Sequence, residues 1–289
     1  MKYFEDHPTG VWNATATLNW CEEDYVVTPY IAEFVNTLTN LWAVTAAIYI
    51  YDVYKYKYDT RYLFLWISGC IVATGSWFFH MTLRWEWQTA ASFLFLNIEL
   101  TPKSASREEQ KRNALFVAVP LILLTSVISI VYIQINIAIF HQVAYAAMVL
   151  SSVVRTIILH RRYYHKFIQP HLSTEGDITD VQKRRTFAEM RKLQIIGAVM
   201  FLTAFILWNV DNVFCLELRK ARRDMGRLGF LLQLHGWWHI GTGIGTVYMA
   251  AATQMLSLLL RDEKETYRFS WTLFIPRPIV YQNKGQKRL

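Results

Sequence analysis

Three cysteines in 289 residues are too few for a disulfide framework, and no C-x-x-C pair of the metal-binding kind occurs. A single pair can still close if both members lie on an oxidising side of a membrane. Residues 1–28 lack an apolar h-region, so no cleavable signal peptide is expected and the first apolar run must itself direct insertion. Charged residues make up only 18% of the chain, and the net charge of +8 comes from Lys and Arg in loops and at the C-terminus. No basic face carries a platform of stacking aromatics, which removes nucleic acid as a partner. The cations are left the task of orienting the chain in a bilayer.

What the chain has in excess is apolar residues, 53% of the total with 15% aromatic, gathered into runs longer than soluble helices use. A helix needs about 20 apolar residues to span the hydrocarbon layer. Six runs meet that length, at 31–51, 62–83, 114–133, 139–159, 193–214 and 231–260. A seventh, 89–100, holds about 18 Å of helix and is too short to span as written. The expected fold is all-α, a polytopic membrane protein built as a seven-transmembrane helix bundle with a truncated third helix. Three segments follow: 1–30, an acidic luminal segment; 31–261, the bundle; and 262–289, a basic cytosolic tail.

Glu22, Glu23 and Asp24 precede the first run and Lys55, Lys57 and Arg61 follow it, which places the N-terminus outside the cytosol. The sequon at Asn13 is usable only in that topology. With seven helices, Cys21 before the first and Cys215 after the sixth both fall on the exterior side, where a pair can close, while Cys70 is mid-span. Residues 161–192 read as a flexible cytosolic connection. Arg219, Lys220, Arg222, Arg223 and Arg227 run against this topology, since they put basic charge on the exterior side.

The chemistry centres on His235 and His239, an i, i+4 pair at the start of the last run, whose imidazoles leave one helical face a turn apart. In a soluble protein such a pair is more often packed or solvated. In hydrocarbon an ionisable ring is costly and is kept for a polar or metal task. The second run ends with Ser76 and His80 on one face, and seven crossings bring His80 to the depth of His235 and His239. Three histidines with an open position describe a catalytic zinc site. A haem protein also uses histidines from facing helices, but haem ligation does not explain the i, i+4 pair converging with Ser76 and His80. Near the end of the sixth run, Asp211 can orient a histidine or pair with a neighbouring helix. Arg155, late in the fifth, can snorkel to the interface. The acidic stretch from Asn19 to Asp24, with Glu33, offers oxygen donors that suit calcium or serves topology alone.

Several stretches together resemble the alkaline ceramidase family of intramembrane zinc amidohydrolases, relatives of the adiponectin receptors. They are Leu18-Asn19-Trp20-Cys21-Glu22-Glu23-Asp24-Tyr25, Tyr30-Ile31-Ala32-Glu33-Phe34, Gly75-Ser76-Trp77 with Phe79-His80-Met81-Thr82-Leu83, Phe140-His141-Gln142-Val143, Trp208-Asn209-Val210-Asp211-Asn212, and 235–243. The resemblance implies seven helices, a luminal N-terminus and cytosolic C-terminus in an endoplasmic reticulum or Golgi membrane, and hydrolysis of ceramide to sphingosine and a fatty acid. It implies zinc on His80, His235 and His239, with Ser76 helping to position the reacting groups. It also implies calcium at Asn19, Trp20 through its carbonyl, Glu22, Asp24 and Glu33, with Asn19 where many relatives carry aspartate. The Cys21 and Cys215 pair looks like the family's luminal disulfide.

One departure bears on activity. The family carries an Asp-Glu-Leu-Pro-like motif at the start of its third helix, and this chain has Ala91 there. The aspartate is the natural general base and later the acid for the leaving amine, a contribution of roughly 10²–10⁴-fold. A receptor-like or structural member that keeps zinc without turnover is the alternative expectation.

Overall fold

In hydrocarbon every backbone N–H and C=O must find its partner within the chain, so a sequence this apolar crosses as helix. The computed structural model describes residues 10–12, 14–15, 20–84, 90–135, 138–171, 178–262 and 265–281. Among them the helices run in the order α1 Phe34–Leu38, α2 Val44–Lys55, α3 Thr60–Thr82, α4 Ala90–Ile98, α5 Arg107–Ile135, α6 Ala138–Tyr163, α7 Ile178–Val213, α8 Cys215–Met225 and α9 Leu234–Arg261. A hairpin of β1 Tyr267–Thr272 and β2 Ile275–Val280 follows. Five stretches of the described chain are long and apolar enough to cross a membrane: Thr60–Thr82, Arg107–Tyr132, Val143–Ile168, Asp180–Val213 and Cys215–Arg261. The chain is thus mostly helical, with the several spans of a polytopic membrane protein.

The first apolar run is not one continuous α-helix, because a 3₁₀ turn, Thr39–Ala43, separates α1 from α2. The cause is local. Thr37 and Thr39 hydroxyls and the Asn40 amide donate to the carbonyls of Glu33, Val35 and Asn36, and Thr45 does the same to Trp42. Side chains that compete for backbone acceptors tighten or bend a helix in this way. The short run at 89–100 gives α4, nine residues long, about 13 Å of helix.

The chain forms two compact units, and α3, α7 and α9 contribute residues to both. In the first unit (Met1–Tyr51, Trp66–Gln88 and Gln194–Met249) small residues let helix backbones approach closely. A Cβ on Gly197 would lie 2.7 Å from the Gly245 carbonyl oxygen, and one on Gly245 the same distance from that of Gly197, so α7 and α9 touch backbone to backbone. Gly243 likewise admits the Trp42 ring, where a Cβ would come within 2.5 Å. Tyr49 stacks on Trp66 at 3.6 Å between centroids.

In the second unit (Asp52–Leu65, Thr89–Leu193 and Ala250–Leu289) α4 packs on α5 and α6, with Leu94 and Met148 buried among Leu121, Ile128 and Tyr145. The end of α4 is held by polar contacts. Asn97 donates to Ser152 Oγ (3.0 Å) and Thr156 Oγ1 (2.9 Å). Arg155 Nε donates to the Asn97 carbonyl (3.4 Å), where a cation complements a helix C-terminus. Three ion pairs tie the loops at the helix ends: Arg61 to Glu99, Arg261 to Asp59 and Arg277 to Asp52.

Two regions differ from the sequence expectation. Most of the connection at 161–192 is ordered as helix. Beyond α6 the chain turns through Tyr164–Ile168 and Gln169–His171, and α7 starts at Ile178, well before its apolar part. Phe187, Met190 and Leu193, spaced by three, form a buried face, with Phe187 against Tyr163. The C-terminal segment expected as a plain basic tail forms the hairpin instead. Tyr267 and Phe269 are buried, and the Thr186 hydroxyl donates to the Tyr267 carbonyl (2.7 Å). Pro276 and Pro278, two apart, turn their missing donors to one outer edge of β2.

Two substitutions check this packing. Glu99→Ala strands a largely buried Arg61 guanidinium and is expected to cost about 3 kcal/mol. Gly245→Ala forces a methyl against backbone and is expected to cost about 1–3 kcal/mol. Thermal unfolding in detergent micelles reads both, and melting unchanged from the parent chain would contradict the described contacts.

Candidate metal centre

His80 lies in the last turn of α3 and His235 and His239 in the first turns of α9, so convergence needs those two helix ends together. The chain secures this through the backbone. The N–H groups of Ala32 and Glu33 donate to the carbonyls of Met81 and His80, both at 3.0 Å, so the segment before α1 completes the open end of α3. Leu83 closes α3 with a left-handed φ of 54°, a position more often given to glycine. At the start of α9, Gly236 lets that helix approach α1, since a Cβ there would lie 2.9 Å from Val35 Cγ1.

The three imidazoles are buried and meet, with one ligating nitrogen from each lying within 4.8 Å of the others. This is the one group of three or more metal-ligating side chains found among the described residues. The ring nitrogens carry the argument for a cation. His80 Nδ1 is hydrogen-bonded to the carboxyl oxygen Oε2 of Glu33, which orients the ring and turns its Nε2 into the cluster. Nε2 of His80 lies 3.0 Å from Nε2 of His239. Nδ1 of His235 is buried without a hydrogen-bond partner. Three buried imidazoles with converging ring nitrogens, each able to present a lone pair, form a donor set that fits a metal ion. Ser76 lies on α3 one turn before His80 and is half-buried. The Trp20 ring packs on His235 at 4.6 Å and next to Trp208 at 5.9 Å. Asp211 is fully buried beside the backbone of Leu234 and His235, at the positive end of α9.

The acidic residues before α1 are brought together and put to several uses. Both Glu22 oxygens accept backbone N–H groups, from Val35 at 2.6 Å and Asn36 at 2.8 Å, so Glu22 caps α1. Burial, reinforced by Glu33, raises its carboxyl to about 8, against the lowering effect of those two amides and of Arg222. Glu33 Oε2 also accepts from Asn36 Nδ2 (3.0 Å), while Glu33 Oε1 and Asn36 Oδ1 are buried with no hydrogen-bond partner. These acceptors are left over beside two crowded carboxyl groups. Asp24 is buried close by in sequence. Asn19, the sequon residue Asn13 and the side chain of Ala91 lie outside the described residues. Two features escaped the sequence reading: the Glu33 to His80 contact and the place of Asn36. The E-x-x-N spacing was the available signal.

Cys21 and Cys215 are disulfide-bonded, with Cα atoms 5.4 Å apart. Two of the five basic residues that ran against the topology, Arg219 and Arg222, are accounted for here. Arg219 Nε and Arg222 Nη2 donate to the Cys21 carbonyl at 3.0 and 2.7 Å, and Arg222 also pairs with Glu23 at 3.0 Å. Both arginines are buried and clamp the acidic segment to α8.

The chain belongs to the ceramidase family, whose profile matches residues 12–281. It is 31% identical over 303 aligned residues to alkaline ceramidase YPC1 of Saccharomyces cerevisiae, across 99% of this chain and 90% of that protein. To alkaline ceramidase 3 of Mus musculus it is 32% identical over 249 residues, 82% of each chain.

The site predicts that the purified chain binds a divalent transition metal and that His80→Ala, His235→Ala and His239→Ala each lose it. Metal analysis of detergent-purified protein checks this. Full metal content in all three variants would remove the site.

Proposed function

We propose that the chain is built as a zinc-dependent amidohydrolase for ceramide or a related sphingolipid. In the reaction, the oxygen of water adds to the amide carbonyl, the C–N bond breaks, and the nitrogen takes a proton to leave as sphingosine while the acyl group departs as a fatty acid. The observation that carries this reading is the convergence of three buried imidazoles in a member of the ceramidase family. The relatives named as alkaline ceramidases support the substrate class.

His80, His235 and His239 would hold the ion, which when bound supplies Lewis acidity that polarises a carbonyl and acidifies water. Glu33 orients the His80 ring through its Nδ1, the carboxylate–histidine support common at such sites. Ser76 is one turn away on the same helical face and would donate a hydrogen bond from its hydroxyl to the developing oxyanion. A calcium ion would draw on Glu22, Asp24, Glu33, Asn19 and the Trp20 carbonyl. Its task is to order the segment that carries Glu33.

The topology belongs to the same reading. His80 ends α3 and His235 begins α9, so the chain between them must cross an even number of times, which α4, α5, α6 and α7 supply. With α1–α2 this makes seven spans. The α4 helix is far shorter than the roughly 30 Å hydrocarbon layer, so the residues before it or a locally thinned bilayer must make up the difference. The Cys21–Cys215 disulfide supports a luminal N-terminus in the endoplasmic reticulum or Golgi, with the C-terminus cytosolic.

A second reading is favoured by one observation: Ala91 stands where the family has its aspartate. The chain then keeps the metal but turns over slowly or not at all. Ceramide hydrolysis by this chain is expected to be absent or severely reduced, and restoring a full third span with an aspartate at its family position should recover it. Sphingosine release from purified, zinc-loaded protein is the measurement. Robust hydrolysis that is abolished by a chelator and restored by zinc would overturn the impaired reading. Failure of the restored chain, with its metal in place, would overturn the hydrolase.

A further inference from the structure

The tip of the β1–β2 hairpin breaks two local rules at once. Its two-residue turn is Leu273-Phe274, where a hairpin in water takes Asn-Gly or Asp-Gly. Leu273 has a φ of 55°, a left-handed conformation that a branched side chain adopts at a cost. The apolar surface at the tip is largely open: Leu273 is 88% exposed, Phe274 56% and Trp271 49%. Trp271 continues the row of Tyr267 and Phe269, whose rings are buried, so the apolar side of β1 runs on past the edge of its support.

The hairpin is not free to fold away and hide this tip. Arg277 grips Asp52 with two nitrogens, the Tyr58 hydroxyl donates to the Pro278 carbonyl at 2.9 Å, and Thr186 holds Tyr267. Five residues separate the end of α9 at Arg261 from the start of β1, which keeps the strands beside the end of a membrane span. Exposed cations lie on the same hairpin and on the segment that holds it: Arg268 on β1, and Lys55 and Lys57 beside Asp52 and Tyr58.

We propose that Trp271, Leu273 and Phe274 insert into the headgroup region of the bilayer the chain spans, with Lys55, Lys57 and Arg268 against anionic lipid phosphates. Tryptophan beside aliphatic residues suits that zone, and apolar insertion joined to basic flanks is how interfacial elements bind. The same flanks would repel a second copy of this chain, which makes the lipid surface the occupant. The hairpin thereby anchors the loops at the ends of α2 and α9 to the membrane surface.

A single-thiol probe tests this on the full chain. Leu273→Cys and, separately, Phe274→Cys are made in a Cys70→Ala background, where the remaining two cysteines are bonded to each other. Each is labelled with a bimane fluorophore in nanodiscs of phosphatidylcholine and phosphatidylserine, which leave both faces open to solvent. Nitroxide-bearing phospholipids should quench both probes severalfold more than a Glu108→Cys comparison, and iodide severalfold less. Iodide quenching equal to the comparison would overturn the proposal by placing the tip in water. Protection from iodide without lipid quenching would overturn it too, since a protein partner would then cover the tip.

Discussion

One buried carboxylate, that of Glu33, couples the parts of this site. A charge withdrawn from water must be met by donors or by another charge. Glu33 meets His80 Nδ1 and Asn36 Nδ2 on one oxygen and keeps the other unpaired. Its backbone N–H completes the end of α3 through the His80 carbonyl. The same residue therefore sets the orientation of the His80 ring, the closure of its helix and the place of the acidic segment. Disturbing any of these moves the others.

The acidic segment is in turn pinned from outside by the Cys21–Cys215 bond and by Arg219 and Arg222. Counting basic residues loop by loop treats each as a free charge facing lipid or solvent. Arg219 and Arg222 are not free, because they are buried against Cys21 and Glu23, close to the carboxylates of the same segment. The signs cancel within the fold, so these side chains say little about which side of a membrane they occupy. The pairs Arg61 with Glu99, Arg261 with Asp59 and Arg277 with Asp52 show the same bookkeeping at other helix ends.

How much was legible in the sequence follows from how local each signal is. The H-x-x-x-H pair and the Ser76-x-x-x-His80 spacing declare shared helical faces directly, and long apolar runs declare spans. The contact of Glu33 with His80 joins residues 47 apart, so no periodic pattern carries it. The break between α1 and α2 was written in a run of Thr and Asn, yet high mean hydropathy concealed it. The alternation of Tyr267, Phe269 and Trp271 with polar neighbours was a strand signal, hidden by the basic composition around it. Tertiary partners turned the stretch before the apolar part of α7 into helix, since its short buried face has meaning only beside Tyr163.

The backbone contact of Gly197 with Gly245 has a consequence for time rather than for position. His235 and His239 stand on one helix, so their spacing is set by α9 itself, and the close contact with α7 holds that helix in place. Only the approach of His80 remains to be adjusted, and its helix end is tied to Ala32 and Glu33 by two backbone hydrogen bonds. An ion seated among the three rings would therefore have to wait for those bonds to open. Its release would be coupled to the opening of the segment before α1.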